Sequence, residues 1–181
     1  MSLPNFISLA RLFAAPLIVW LILTGEISLA FWAFIAAGIS DGVDGFIAKR
    51  FDRTTELGGY LDPIADKVLL VGVYVALGSE GLVDLWLVIL VVFRDLLIVG
   101  GALLLWLLSR PLRMTPLMVS KVNTVAQIVQ ASVVLGGFGL GVLVEPLTGV
   151  LSYVVAATTL LSGALYVVKW TRRATGMEPR T

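Results

Sequence analysis

Residues 83–108 read Val83-Asp-Leu-Trp-Leu-Val-Ile-Leu-Val-Val-Phe-Arg94-Asp95-Leu-Leu-Ile-Val-Gly-Gly-Ala-Leu-Leu-Leu-Trp106-Leu-Leu108. A helix crossing a ~30 Å hydrocarbon core needs about 20 apolar residues, and this stretch supplies them with one charged pair in its middle. The whole chain has the same character. Apolar residues make up 59% and charged ones 14%, with a mean hydropathy of +1.00, where a soluble domain has about 45–50% apolar and about 25% charged residues. These proportions exclude a soluble enzyme, a disordered chain and a fibrous protein. They predict an all-α integral membrane protein, and the 181 residues suffice for one domain, 1–181, with no linker long enough to divide it.

Working outward from that stretch, glycines, prolines and charges divide the chain into six apolar segments, 5–24, 28–50, 57–79, 83–108, 115–137 and 145–169. Pro16 falls inside the first and is expected to kink it. No secretory signal is expected, because the first segment is long and has no small-residue cleavage site after it, and an Arg-rich transit peptide is not expected either. Lys49, Arg50 and Arg53 fall in one connection, Arg110, Arg113 and Lys121 in another, and Lys169, Arg172, Arg173 and Arg180 near the C-terminus. The three intervening connections hold Glu26, Glu80, Asp84 and Glu145 but no Lys or Arg. The positive-inside rule then predicts six transmembrane helices with both termini cytoplasmic. Trp20, Trp32, Trp86, Trp106 and Trp170 lie mostly toward segment ends, as interfacial anchors do.

A net charge of +1 argues against a nucleic-acid partner. There is no Cys and no His, so proton transfer or metal binding falls to carboxylates, Lys, Tyr and hydroxyls. Four carboxylates stand where they are costly. Asp41 and Asp44 are three apart at the end of the second segment, and Asp62 and Asp66 four apart near the start of the third. Each pair shares a helix face, and the short connection brings both faces to the same membrane surface. Converging acids repel unless compensated. A bound cation compensates them, and all-oxygen ligands select Mg²⁺, Mn²⁺ or Ca²⁺. Two Mg²⁺ ions bridged by carboxylates suit phosphoryl transfer, and Gly42, Gly45, Gly58 and Gly59 leave room for a bulky diphosphate.

Asp41-Gly-Val-Asp44-Gly45-Phe-Ile-Ala48-Lys49, then eight residues, Gly58, three residues, Asp62, three residues and Asp66 resembles the CDP-alcohol phosphatidyltransferase signature, D-x2-D-G-x2-A-R-x8-G-x3-D-x3-D. Seven of the eight fixed positions match across 26 residues; Lys49 replaces the usual Arg, keeping charge but losing a bidentate phosphate grip. The resemblance implies an enzyme dependent on Mg²⁺ or Mn²⁺, two ions in all, held by Asp41, Asp44, Asp62 and Asp66. It implies that Asp66 is also the general base, that Gly45, Ala48, Lys49 and Gly58 surround the CDP moiety, and that the working unit is a homodimer. A bacterial cytoplasmic membrane is the expected location, with the site near its cytoplasmic face.

The family accepts several alcohols. Arg94 and Lys121 resemble its acceptor-phosphate ligands. Leu3-Pro4-Asn5, Ser8, Arg11, Arg94-Asp95 and Ser120-Lys121-Val-Asn123-Thr124-x2-Gln127 resemble the eukaryotic-type cardiolipin synthases. That implies two lipid substrates, CDP-diacylglycerol and phosphatidylglycerol. The alternative acceptor is glycerol 3-phosphate, although phosphatidylglycerophosphate synthases more often carry Glu after the Arg. Plainer readings stand beside these. Asp62 before Pro63 could be a helix cap. Arg94 could form an ion pair with Asp95, although adjacent residues face different sides of a helix. Lys67 could balance Asp66 rather than contact a substrate, and Lys121 could be a snorkelling anchor. A divalent-cation transporter would spread its acids through the membrane depth, whereas these cluster at one end.

Overall fold

The computed structural model describes the backbone of residues 3–51, 56–107 and 118–174, and the side chains of 12–40, 67–101, 118–169 and 171. The described chain is all helical: α1 (Leu3–Leu23), α2 (Ile27–Phe51), α3 (Glu56–Ser79), α4 (Leu85–Leu107), α5 (Met118–Leu140) and α6 (Glu145–Ala174). The expected segments match these closely, and α1 runs through Pro16 without interruption.

Of the boundaries that differ, two do so for physical reasons visible in the structure. The fourth helix begins at Leu85 rather than 83, because the Asp84 carbonyl accepts the Leu87 and Val88 N–H groups at 3.0 and 3.2 Å and so closes the first turn. The fifth continues past Gly136 and Gly137, which the sequence suggests as its end. Both glycines are packing positions inside the helix, where an added Cβ would press on Phe31 and on Val144. The stop comes instead at Gly141, at φ +68°. Gly25 closes α1 in the same way, with φ +79° and Glu26 N–H bonding the Leu21 carbonyl at 2.9 Å. Gly81 repeats the motif after α3.

Around the bundle the neighbours run α1, α2, α5, α6, α4, α3 and back to α1, with α3 also touching α5 across the interior. Among the described residues α2 and α3 do not pack on one another, although they follow each other in the chain. The core is Ile18, Ile22, Val73, Tyr74, Leu77, Leu87, Val91, Val134, Leu135 and Val155, all buried. The exterior is apolar too: Phe13, Trp20, Trp32, Phe93, Leu96, Tyr153 and Leu161 are each more than half exposed. Such a surface is stable against lipid rather than water. Trp20, Trp32 and Trp86 stand outward near the end of the bundle that carries the glycine turns, as interfacial aromatics do. Among the described residues two helices, Met118–Leu140 and Glu145–Lys169, are long and apolar enough to cross a membrane, while the described apolar parts of α1, α2 and α3 are shorter.

Candidate functional site

The acidic signature is carried by two helix ends. Asp41, Asp44, Gly45, Ala48 and Lys49 lie on the last three turns of α2, and Gly58, Asp62 and Asp66 on the first three of α3. Their side chains lie outside the described residues. The carboxylates stand three apart on α2 and four apart on α3, so helical backbone places each pair on one face. Among the described residues no cluster of three or more potential metal ligands occurs elsewhere.

What surrounds those helix ends is described. A cavity of about 320 Å³ separates α2 from α3, floored by α5. Phe34, Gly38 and Ile39 form one wall, Leu69 and Leu70 the other, and Thr124, Ile128 and Ser132 the floor. Thr124 to Ser132 spans eight residues of α5, about 12 Å at 1.5 Å per residue. The cavity is mostly apolar, with the hydroxyl residues Thr124 and Ser132 on its floor, and its α2 wall reaches Ile39, two residues before Asp41.

Next to the acids on α3 begins a charged cluster that ties four helices together. Lys67 Nζ donates to Asp95 Oδ1 at 2.8 Å, and Arg94 Nη1 donates to the same oxygen at 2.6 Å. Arg94 Nη2 reaches Ser120 Oγ on α5 and Ser162 Oγ on α6, both at 2.6 Å, and Nε donates to Ser162 Oγ at 3.2 Å. Arg94 and Asp95 are 4% and 6% exposed, whereas the Lys67 side chain is 32% exposed. Adjacency on α4 does not keep Arg94 from Asp95, because its long side chain curls back to its neighbour's carboxylate. Lys67 has Asp95 as an ionic partner. Lys121, directly after Ser120, is exposed. The structure thus brings Arg94 to the buried centre of the cluster and leaves Lys121 on its outside.

The polar contacts continue along α5 and α6. Asn123 Oδ1 accepts from Thr158 and Thr159, both at 2.8 Å. The Tyr74 hydroxyl donates to Gln130 Oε1 at 2.8 Å, and Gln130 Nε2 donates to Ser152 Oγ at 2.8 Å. Asn123, Gln127 and Gln130 are buried at positions i, i+4 and i+7 of α5, and Ser152, Thr159 and Ser162 at i, i+7 and i+10 of α6. Gln130, the α6 stripe and the sharing of Asp95 between Arg94 and Lys67 are what sequence reasoning missed. Their signal was polar residues at helical spacing within otherwise apolar helices.

A family model described as CDP-alcohol phosphatidyltransferase matches residues 1–167. A rice (Oryza sativa subsp. japonica) protein named CDP-diacylglycerol–glycerol-3-phosphate 3-phosphatidyltransferase 1, chloroplastic, is 37% identical over 190 aligned positions, covering 94% of this chain and 57% of its own length. A fission-yeast (Schizosaccharomyces pombe) cardiolipin synthase (CMP-forming) / mitochondrial hydrolase fusion protein is 32% identical, covering 92% of this chain and 31% of its own length. A human cardiolipin synthase (CMP-forming) is 30% identical, covering 71% and 48%. The chain therefore spans between 31% and 57% of the lengths of these relatives.

Proposed function

The chain belongs to the CDP-alcohol phosphatidyltransferase family, and from that premise we propose that it transfers a phosphatidyl group from CDP-diacylglycerol to phosphatidylglycerol, giving cardiolipin and CMP. The observation that carries this reading is the acidic signature of residues 41–66, standing within a family match that covers residues 1–167. The apolar cavity between α2 and α3 supports it, since an acyl chain lying there would end beside Asp41. We read six spans with both termini cytoplasmic, a reading supported by the six helices, their apolar exteriors and the basic residues of the sequence between them. We place the site near the cytoplasmic face, and take a homodimer as the working unit. The relatives come from plants, fungi, animals and mycobacteria, so kinship supports a membrane without selecting which one.

Four carboxylates with no His or Cys in the chain form a donor set that fits hard divalent cations, Mg²⁺ or Mn²⁺. Asp41, Asp44, Asp62 and Asp66 would hold two such ions, which when bound neutralise charge on the diphosphate and on the departing CMP. Gly45, Ala48 and Gly58 leave space for the nucleotide, and Lys49 supplies charge to it. Asp66 takes the proton from the acceptor hydroxyl. The resulting oxygen forms a bond to the phosphorus carrying diacylglycerol, and the bridging P–O bond to CMP breaks. Arg94 and Lys121 bring positive charge to the side where an acceptor phosphate would lie.

The rice relative's name favours a second reading, with glycerol 3-phosphate as acceptor and phosphatidylglycerophosphate as product. One assay separates the two. Purified protein receives CDP-diacylglycerol and Mg²⁺ with phosphatidylglycerol or glycerol 3-phosphate, and the lipid product is identified by mass spectrometry. Cardiolipin formed with phosphatidylglycerol is the expected result. Phosphatidylglycerophosphate alone would establish the second reading, and no transfer to either acceptor would sink both.

A further inference from the structure

We propose that the interior of the bundle holds a resident water molecule between α3, α5 and α6, bound by the side-chain amides of Asn123 and Gln127. Such a water would be present whichever alcohol serves as acceptor.

Two stranded polar groups carry the inference. Asn123 and Gln127 are 0% and 1% exposed, and among the described residues nothing accepts a hydrogen bond from Asn123 Nδ2 or Gln127 Nε2. A buried N–H left unmatched costs the full desolvation of the group. Inside a bundle whose exterior is apolar, bulk water is not at hand to relieve it. Reorienting the Asn123 amide does not remove the problem. Its Oδ1 accepts from the Thr158 and Thr159 hydroxyls, both at 2.8 Å. Turned over, its Nδ2 would meet those hydroxyls and its oxygen would be stranded instead. In either orientation one polar atom of Asn123 is left unmatched, and water, which both donates and accepts, suits both.

The spacing fits one small occupant. Asn123 and Gln127 stand four apart on α5, so their Cβ atoms lie about 5–6 Å from each other on one face. Two hydrogen bonds of ~2.9 Å meeting at one oxygen cover that span. Hydroxyls from both neighbouring helices border the pair. Thr159 of α6 bonds Asn123, and the Tyr74 hydroxyl of α3 lies 3.3 Å from the Gln127 carbonyl oxygen. Each hydroxyl has lone pairs to accept the water's own protons, so the roughly three bonds typical of a buried water are within reach. The same facts narrow the occupant. A cation would meet N–H donors, and a lipid oxygen has no entry past side chains so fully buried. The two amides come three and seven residues after Ser120, about 4.5 and 10.5 Å farther along α5, so the site is separate from the charged cluster. Bound there, the water joins Asn123, held to α6, with Gln127, whose carbonyl faces α3.

The chain has four side-chain amides, at Asn5, Asn123, Gln127 and Gln130. The full chain with isotope-labelled nitrogen in its Asn and Gln side chains therefore gives a spectrum that single substitutions can assign. Solid-state NMR in lipid bilayers reads the transfer of magnetisation from water protons to each NH2 group. Transfer to both Asn123 and Gln127 is expected despite their burial. Gln127→Met keeps the length and removes the amide, and it should lower Tm by about 2–4 °C, the net worth of one hydrogen bond. Were the donor facing nothing, its removal would raise Tm. No transfer to the Asn123 or the Gln127 amide, or a Tm that holds or rises in Gln127→Met, would overturn the assignment.

Discussion

Neutralising Asp95 probes the charged cluster most directly. Asp95→Asn keeps the shape and one oxygen acceptor but removes the charge shared by Lys67 at 2.8 Å and Arg94 at 2.6 Å. The two partners lose unequally. Lys67 is 32% exposed, and an ion pair of that kind contributes about 0–1 kcal/mol. Arg94 is 4% exposed, and stripping the partner from a buried charge costs about 3–5 kcal/mol. The Ser120 and Ser162 hydroxyls remain and the Asn oxygen still accepts, so the lower edge, about 3 kcal/mol, is expected. At about 2–4 °C per kcal/mol for a chain of this size, Tm falls by roughly 6–12 °C. Thermal unfolding in micelles of one detergent, followed by circular dichroism, measures it. Combining Asp95→Asn with Arg94→Met closes a double-mutant cycle in which a coupling of at least about 2 kcal/mol is expected. A single variant melting within about 1 °C of wild type, or additivity within ~0.5 kcal/mol, would refute the claim that Asp95 holds a buried charge.

Asp66→Asn should abolish CMP release while Tm stays close to wild type, and wild-type turnover in that variant would remove Asp66 as the base. EDTA should stop CMP release, and added Mg²⁺ or Mn²⁺ should restore it; activity that survives exhaustive chelation would count against the ions. Tyr74→Phe deletes the hydroxyl bound to Gln130 and leaves a buried acceptor unmatched, so a loss of about 1–2 kcal/mol is expected in the same melting assay. Gly139→Ala would bring a Cβ to 2.9 Å from the Ser28 Cα and 3.0 Å from its N. That neighbour is backbone and can yield only if α2 and α5 separate, so a cost of about 1–3 kcal/mol is expected, and an unchanged Tm would contradict the close packing of the two helices.

The helices of the described residues and most of their ends are readable from local chemistry alone, and the acidic signature from its resemblance to a family pattern. Apolar run length sets where helices can persist, and a glycine free to adopt positive φ stops one, as Gly25 and Gly81 do. The four Asp residues stand out in the sequence because their spacing matches the family pattern, while their side chains lie outside the described residues. Gly136 and Gly137 mark the limit of such reading. As letters they look like a boundary, yet the approach of Phe31 and Val144 makes them interior packing positions, and that depends on which helix arrives alongside. The order around the bundle is likewise tertiary. Burial patterns say that a face is covered without saying by what, so nothing in the sequence separates α2 from α3 with a cavity or seats α6 against α4. The same holds for Arg94, whose partners Ser120 and Ser162 stand 26 and 68 residues away. A buried charge must be matched, but only folding decides which distant hydroxyls and which neighbouring carboxylate do the matching.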